Sequence, residues 1–99
     1  MALPVSVQIC TLNEQRNIRD CVLAVERESP QEIIVIDGGS RDKTVEIARE
    51  LGVLVLEVGA VGLAEQRRRG YLATRQPYVA FIDADDRLAP GALSAQLKG

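Results

Sequence analysis

The sequence predicts an α/β fold: a three-layer, Rossmann-like parallel sheet of about four strands with helices on both faces. Three observations carry that expectation. Short β-branched apolar runs alternate with amphipathic stretches along the chain, as in repeated β-α-β units. One run, Ile33-Ile34-Val35-Ile36, is continuously apolar, which suits a parallel strand covered on both faces. Polar and acidic residues gather just beyond the runs, where open α/β sheets bind ligands.

Each element follows from local chemistry. Residues 5–10, bounded by Pro4 and by Thr11-Leu12-Asn13, read as the first strand. Asn13 is expected to cap the next helix, with Glu14 favouring its positive end. In that helix Ile18, Cys21, Val22 and Val25 fall at i, i+3, i+4 and i+7 and share one face. It should stop before Pro30, which disfavours helical geometry at Ser29. Residues 32–37 form the second strand, followed by the turn Gly38-Gly39-Ser40. A helix over about 42–51 is expected to bury Val45, Ile47, Ala48 and Leu51. Gly52 stands where a left-handed cap belongs. Residues 53–58 are the third strand, 59–62 a flexible loop, and 63–75 a third helix weakened by Gly70. Residues 78–83 are the fourth strand, and a short last helix begins near Pro90. Crossovers between the parallel strands should be right-handed.

Composition excludes several function classes. The chain has 99 residues, so it is one domain or part of one, and 46% hydrophobic content rules out disorder. The net charge is −2 and the one basic cluster is Arg67-Arg68-Arg69, so no nucleic-acid partner is expected. The absence of histidine removes His-based triads and His-rich zinc sites. Cys10 and Cys21 read as small buried hydrophobes, not as a disulfide framework. No run approaches the ~20 apolar residues of a transmembrane segment. Met1-Ala2-Leu3-Pro4 lacks the features of a signal peptide, which makes a cytoplasmic location the default expectation.

The strongest chemical signal is Asp83-Ala84-Asp85-Asp86. Three carboxylates this close repel one another unless solvent or a hard cation intervenes, and Mg²⁺ or Mn²⁺ suits such oxygen ligands. The plainer alternative is a solvated acidic loop or a helix cap. Asp37 with Gly38-Gly39-Ser40 is the second signal: it can accept hydrogen bonds from a base or ribose, or simply make a β-to-α turn. Arg67, Arg68 and Arg69 sweep about 200° around a helix, so they cannot share a face. At least one is expected to point toward the sheet edge and bind phosphate, the others being solvated. Gly70 suggests a close backbone contact with the sheet or a ligand.

Four segments together resemble family 2 glycosyltransferases, which have a GT-A fold. They are residues 5–14, ending in Asn13-Glu14; residues 34–44, with Asp37-Gly38-Gly39-Ser40-Arg41-Asp42-Lys43-Thr44; the stretch 62–70; and Phe81-Ile82-Asp83-Ala84-Asp85-Asp86-Arg87-Leu88-Ala89-Pro90. The resemblance implies a glycosyltransferase that moves a sugar from a nucleotide-diphosphate donor, a UDP-sugar by expectation, to an acceptor that the sequence leaves open. It implies a metal-dependent, inverting reaction with Mn²⁺ or Mg²⁺. By resemblance Thr11, Asn13, Glu14 and Asp37 line the base and ribose pocket, with Asp37 the partner of the pyrimidine ring of a UDP-sugar; Gly39 also binds the nucleotide sugar, and Arg67 lies near the base and diphosphate. Asp83 and Ala84 would contact the nucleotide sugar, Asp85 would bind the metal in a DxD motif, and Asp86 would help position the site. Gln66-Arg67-Arg68 departs from the family's usual Ala-Arg-Asn.

Length is the larger departure. Residues 1–99 correspond to the nucleotide-sugar-binding half, with the acceptor-binding half and its catalytic Asp or Glu base expected to be absent. The chain is thus read as an excised half-domain or a shortened natural form. Its uncovered apolar surface would favour a homo-oligomer. Two other readings are a nucleotidyltransferase and a non-catalytic nucleotide-binding or signalling α/β module. The first would need a Gly-rich basic turn where Thr11-Leu12-Asn13-Glu14 stands; the second predicts phosphorylation of Asp37 or Asp83.

Overall fold

The computed structural model describes residues 2–98, with side chains described through Ala95. Its elements are β1 (Leu3–Thr11), α1 (Ile18–Glu26), β2 (Pro30–Asp37), α2 (Thr44–Glu50), β3 (Leu54–Glu57), α3 (Leu63–Leu72), β4 (Tyr78–Asp83) and α4 (Ala92–Lys98). The four strands form one sheet in the order β3-β2-β1-β4, every neighbour parallel. The chain steps from β1 out to β2 and β3, then returns to the other side of β1 as β4. That reversal puts a topological switch point between β1 and β4, the place where such sheets bind ligands.

The two faces of β1 are chemically different because side chains alternate along a strand. Val5, Val7 and Ile9 are buried against the Ile18, Cys21, Val22 and Val25 stripe of α1, the face its helical spacing anticipates. Burying side chains of this size stabilises the fold by about 1.5–3 kcal/mol each. On the α3 side stand Ser6 and Gln8, both fully buried. Gln8 Nε2 donates to the Gly70 carbonyl at 2.6 Å, while Gln8 Oε1 is buried without a partner. A methyl group at residue 70 would collide with Gln8 Oε1 and sit 2.8 Å from Ile36 Cδ1. Gly70 is therefore there to bring α3 close to the sheet.

Several boundaries differ from expectation. Asn13 does not cap a helix: α1 begins at Ile18, and its cap position, Asn17, makes no side-chain capping bond. Asn13 instead has φ 55° and its side chain is engaged across a loop. On α2 the fully buried residues are Thr44 and Ala48, with Val45 and Ile47 half-buried. α3 ends at Leu72, short of residue 75. Gly52 has the left-handed φ, 81°, that its place after α2 demands. The start of α4 is tied to the end of α1, because the Glu28 carboxylate accepts from the backbone N–H groups of Gly91 and Leu93. No helix among the described residues is long and apolar enough to cross a membrane.

Candidate functional site

Parallel strands end on one edge, and three of these ends carry acids. The registers set Thr11 beside Asp37, Asp37 beside Glu57, and Cys10 beside Asp83. The site is built on this edge.

Asp37 is 2% exposed and its carboxylate is fully engaged. Oδ1 accepts from Thr11 Oγ1 at 2.7 Å and Ser40 Oγ at 2.5 Å. Oδ2 accepts from the backbone N–H of Gly39 at 3.0 Å and of Ser40 at 2.8 Å. Gly39 permits this wrapped turn with φ 101°. Asp37 thus fastens the end of β1 to the turn after β2.

The loops after β1 and β2 are laced together by further bonds. The Asn13 N–H donates to Ser40 Oγ and Asn13 Oδ1 accepts from the Arg41 N–H, both at 2.8 Å. The Glu14 N–H donates to Thr44 Oγ1 at 2.8 Å, and Gln15 exchanges bonds with Asp42 and Lys43. Burial raises the Asp42 pKa, but bonds from the Thr44 hydroxyl and the Thr44 and Gln15 amides outweigh it and hold the group below the usual carboxylate range. This lacing gives both loops one fixed shape.

Above it lies an open groove of about 430 Å³. The end of β1 and its loop line it with Cys10, Thr11, Leu12 and Glu14, the turn after β2 with Gly38, and the β3–α3 loop and α3 with Ala60, Gly62, Leu63 and Gln66. Gln66 is 8% exposed, and its Nε2 donates to the Ile36 carbonyl at 3.0 Å and the Thr11 carbonyl at 3.3 Å. It clamps the last peptides of β1 and β2. A larger depression of about 700 Å³ lies along the outside of α1 and Arg87, with no link to the turn after β2.

The three arginines separate as helical geometry requires. Arg68 and Arg69 both pair with Glu65, whose pKa is lowered chiefly by the Arg69 hydrogen bond. Arg67 turns the other way, 5.8 Å from the centre of the Phe81 ring on β4. Burial raises the Cys10 pKa, opposed by Arg67 and reinforced by Asp83, which places Cys10 within the field of both charges.

The acidic segment after β4 folds as a turn. The Asp86 N–H donates to the Asp83 carbonyl, and Asp86 Oδ2 accepts from the Asp83 N–H at 3.2 Å. Asp83 and Asp85 are exposed, and among the described residues their carboxylates have no hydrogen-bond or ion-pair partner. Ala84 is 1% exposed with its methyl in the α1-side core, so any contact it makes with a ligand falls to its backbone. Cys21 Sγ lies 3.8 Å from the Asp83 carbonyl, and burial pushes its thiol pKa up to about 11 against the opposing pull of Arg87. Among the described residues no three acidic or cysteine side chains converge into a ready-made metal cage. The free, hard oxygens of Asp83 and Asp85 nevertheless fit Mg²⁺ or Mn²⁺, which take one or two protein carboxylates and complete their shell with water and phosphate.

Of the residues anticipated from sequence, Thr11 and Glu14 line the groove; Asp83 ends β4 beside Cys10 with Asp85 two residues on, and Arg67 lies over Phe81 of β4, all three outside the groove lining. Asn13, Asp37 and Gly39 support the groove through the laced loops. Gln66 was missed. Its spacing of four from Gly70 puts both on the sheet-facing side of α3, a signal the sequence does contain.

The sequence profile of glycosyl transferase family 2 matches residues 6–99, and the chain belongs to that family. It is 30% identical to the putative glycosyltransferase EpsH of Bacillus subtilis over 95% of this chain and 29% of that protein. It is 36% identical to the uncharacterized glycosyltransferase YibD of Escherichia coli over 86% of this chain and 27% of the relative. Among solved structures, glucosyl-3-phosphoglycerate synthase from Mycobacterium tuberculosis, in complex with Mn²⁺, UDP and glucosyl-3-phosphoglycerate, superposes with a TM-score of 0.73 at 29% identity. That match covers 81% of this chain and 33% of the synthase. S. aureus TarS 1–349 superposes with a TM-score of 0.81 at 23% identity over 99% of this chain and 32% of TarS, which shows the shared fold. The chain therefore spans about a third or less of each of these proteins.

Proposed function

We propose that this chain forms the donor site of a glycosyltransferase that takes a sugar from a nucleoside diphosphate, with UDP as the nucleotide, to an acceptor bound elsewhere. One observation carries the reading. An open groove of about 430 Å³ over the ends of β1 and β2 lies next to the β1–β4 switch, where β4 brings two unpaired carboxylates at its end and Arg67 lies over Phe81. The synthase that superposes on this chain is itself a complex with Mn²⁺ and UDP.

In this reading the groove takes the base and ribose, with Thr11 and Glu14 on its wall. Arg67 faces the diphosphate, where a guanidinium can pair with phosphate oxygens in a fork. Asp85 holds the divalent cation and Asp83 orients the sugar side of the donor. The cation, when bound, neutralises the charge that grows on the departing diphosphate. In an inverting transfer the acceptor oxygen attacks the anomeric carbon, the bond to the diphosphate breaks with its electron pair, and a carboxylate base takes the acceptor proton. None of the site residues named here is assigned that base. A phosphoacceptor role is disfavoured at Asp37, whose oxygens already accept four hydrogen bonds.

Calorimetric titration with UDP tests the reading. Mn²⁺ is expected to tighten binding about tenfold, on the order of 1.4 kcal/mol, and Asp85→Ala to remove that gain while leaving metal-free binding unchanged. Equal affinity with and without Mn²⁺ would count against the metal-assisted site.

A further inference from the structure

We propose that Gln66 reads the nucleobase: its Oε1 accepts the N–H on the pairing edge of the base, the N3–H when the base is uracil. The proposal rests on the donor-site reading above and names the residue that sets its base preference.

Four observations converge. First, the acceptor that sequence reasoning favours is already used. Asp37 is 2% exposed, and its four hydrogen bonds fill the roughly four lone-pair sites of a carboxylate. It has no free acceptor to offer a base.

Second, chemistry fixes which way the Gln66 amide points. Its two partners, the carbonyls of Thr11 and Ile36, only accept hydrogen bonds. A flipped amide would set oxygen against oxygen at both. The NH₂ must face the strand ends.

Third, the carbonyl end of the same amide is open. Gln66 Oε1 accepts no bond from the described residues, and among them the one buried side-chain oxygen without a partner is Gln8 Oε1. Gln66 lines the groove, so its free oxygen is an acceptor available there.

Fourth, the surroundings suit a flat ring. Leu12 and Leu63 flank the groove and are 58% and 48% exposed, apolar walls that a base would cover. Gly38 makes room for the amide: a methyl group at that position would lie 3.0 Å from Gln66 Cδ. Gly38 and Gln66 thus work as a pair.

A site built to pair with a buried N–H rejects a ligand that lacks it, because the acceptor is then left unpaired. The test compares UDP with N3-methyl-UDP on the whole chain in Mn²⁺. The unaltered chain is expected to bind UDP at least about tenfold tighter. In Gln66→Ala the two affinities should converge, with that for UDP reduced. Folding of the variant is checked by circular dichroism, and Gln66→Met repeats the test with the side-chain volume kept. NMR supplies a readout that needs no variant: the N3 proton of bound UDP should show a cross-relaxation peak to the Gln66 side chain. Three results would overturn the proposal. Equal binding of the two nucleotides by the unaltered chain removes Gln66 but leaves the donor site standing. Discrimination that survives in Gln66→Ala assigns the reading to another acceptor. Failure of UDP to bind at all removes the donor-site reading and this proposal together.

Discussion

β2 and β4 both flank β1 and both end in an aspartate, yet the two carboxylates do opposite work. Asp37 is buried and accepts four hydrogen bonds from Thr11, Gly39 and Ser40. Asp83 is exposed, and its carboxylate bonds to none of the described residues. The difference comes from the loops that follow. After β2, Gly39 lets the chain wrap back so that amides point at the carboxylate. After β4, Ala84 turns into the core and sends Asp83 and Asp85 outward. Residue type and place in the fold are shared; the donors within reach decide which acid is architecture and which keeps a free carboxylate.

The comparison can be broken by removing each acid in turn. Asp37→Ala should lower unfolding stability in urea by about 3 kcal/mol, because it strands several buried donors at once. A change within about 0.5 kcal/mol would show that Asp37 is not the fastening point. Thr11→Val removes one of those bonds and keeps the side-chain shape. It should cost about 1 kcal/mol in the same measurement, and a loss as large as that of Asp37→Ala would mean that the bonds act as a unit. Asp85→Ala should move stability by no more than about 0.5 kcal/mol, since no protein group depends on that carboxylate. A large loss there would place Asp85 in the architecture beside Asp37.

Much of the fold was legible because its signals are local. The stripe of Ile18, Cys21, Val22 and Val25 lies within one helix and is the face that packs on β1. The run 78–83 is bounded by its own neighbours and is a strand over those residues. Gly52 sits one step past a helix end and adopts φ 81°. Asn13 shows where local reading fails. Its type and place suit a helix cap, but Ser40 and Arg41, 27 and 28 residues away, engage it first. Of the candidate site, the acidic segment and Arg67 could be proposed from residue type. For Gln66 the spacing from Gly70 marks only its sheet-facing side; its clamp could not be read, because its partners Thr11 and Ile36 are 55 and 30 residues away in sequence.

By itself, the sequence determined that this is an alternating α/β chain with carboxylates beyond its strands and four segments in the order of family 2 glycosyltransferases. Apolar periodicity, glycine positions and residue chemistry are properties of short stretches, so they survive without coordinates. The tertiary structure alone decided which carboxylates are free. Strand register brings Thr11 beside Asp37 and Cys10 beside Asp83, and the close approach at Gly70 sets α3 over the ends of β1 and β2. Hydrogen bonds act over about 3 Å, and residues far apart in the chain come within that reach once the sheet and α3 have packed.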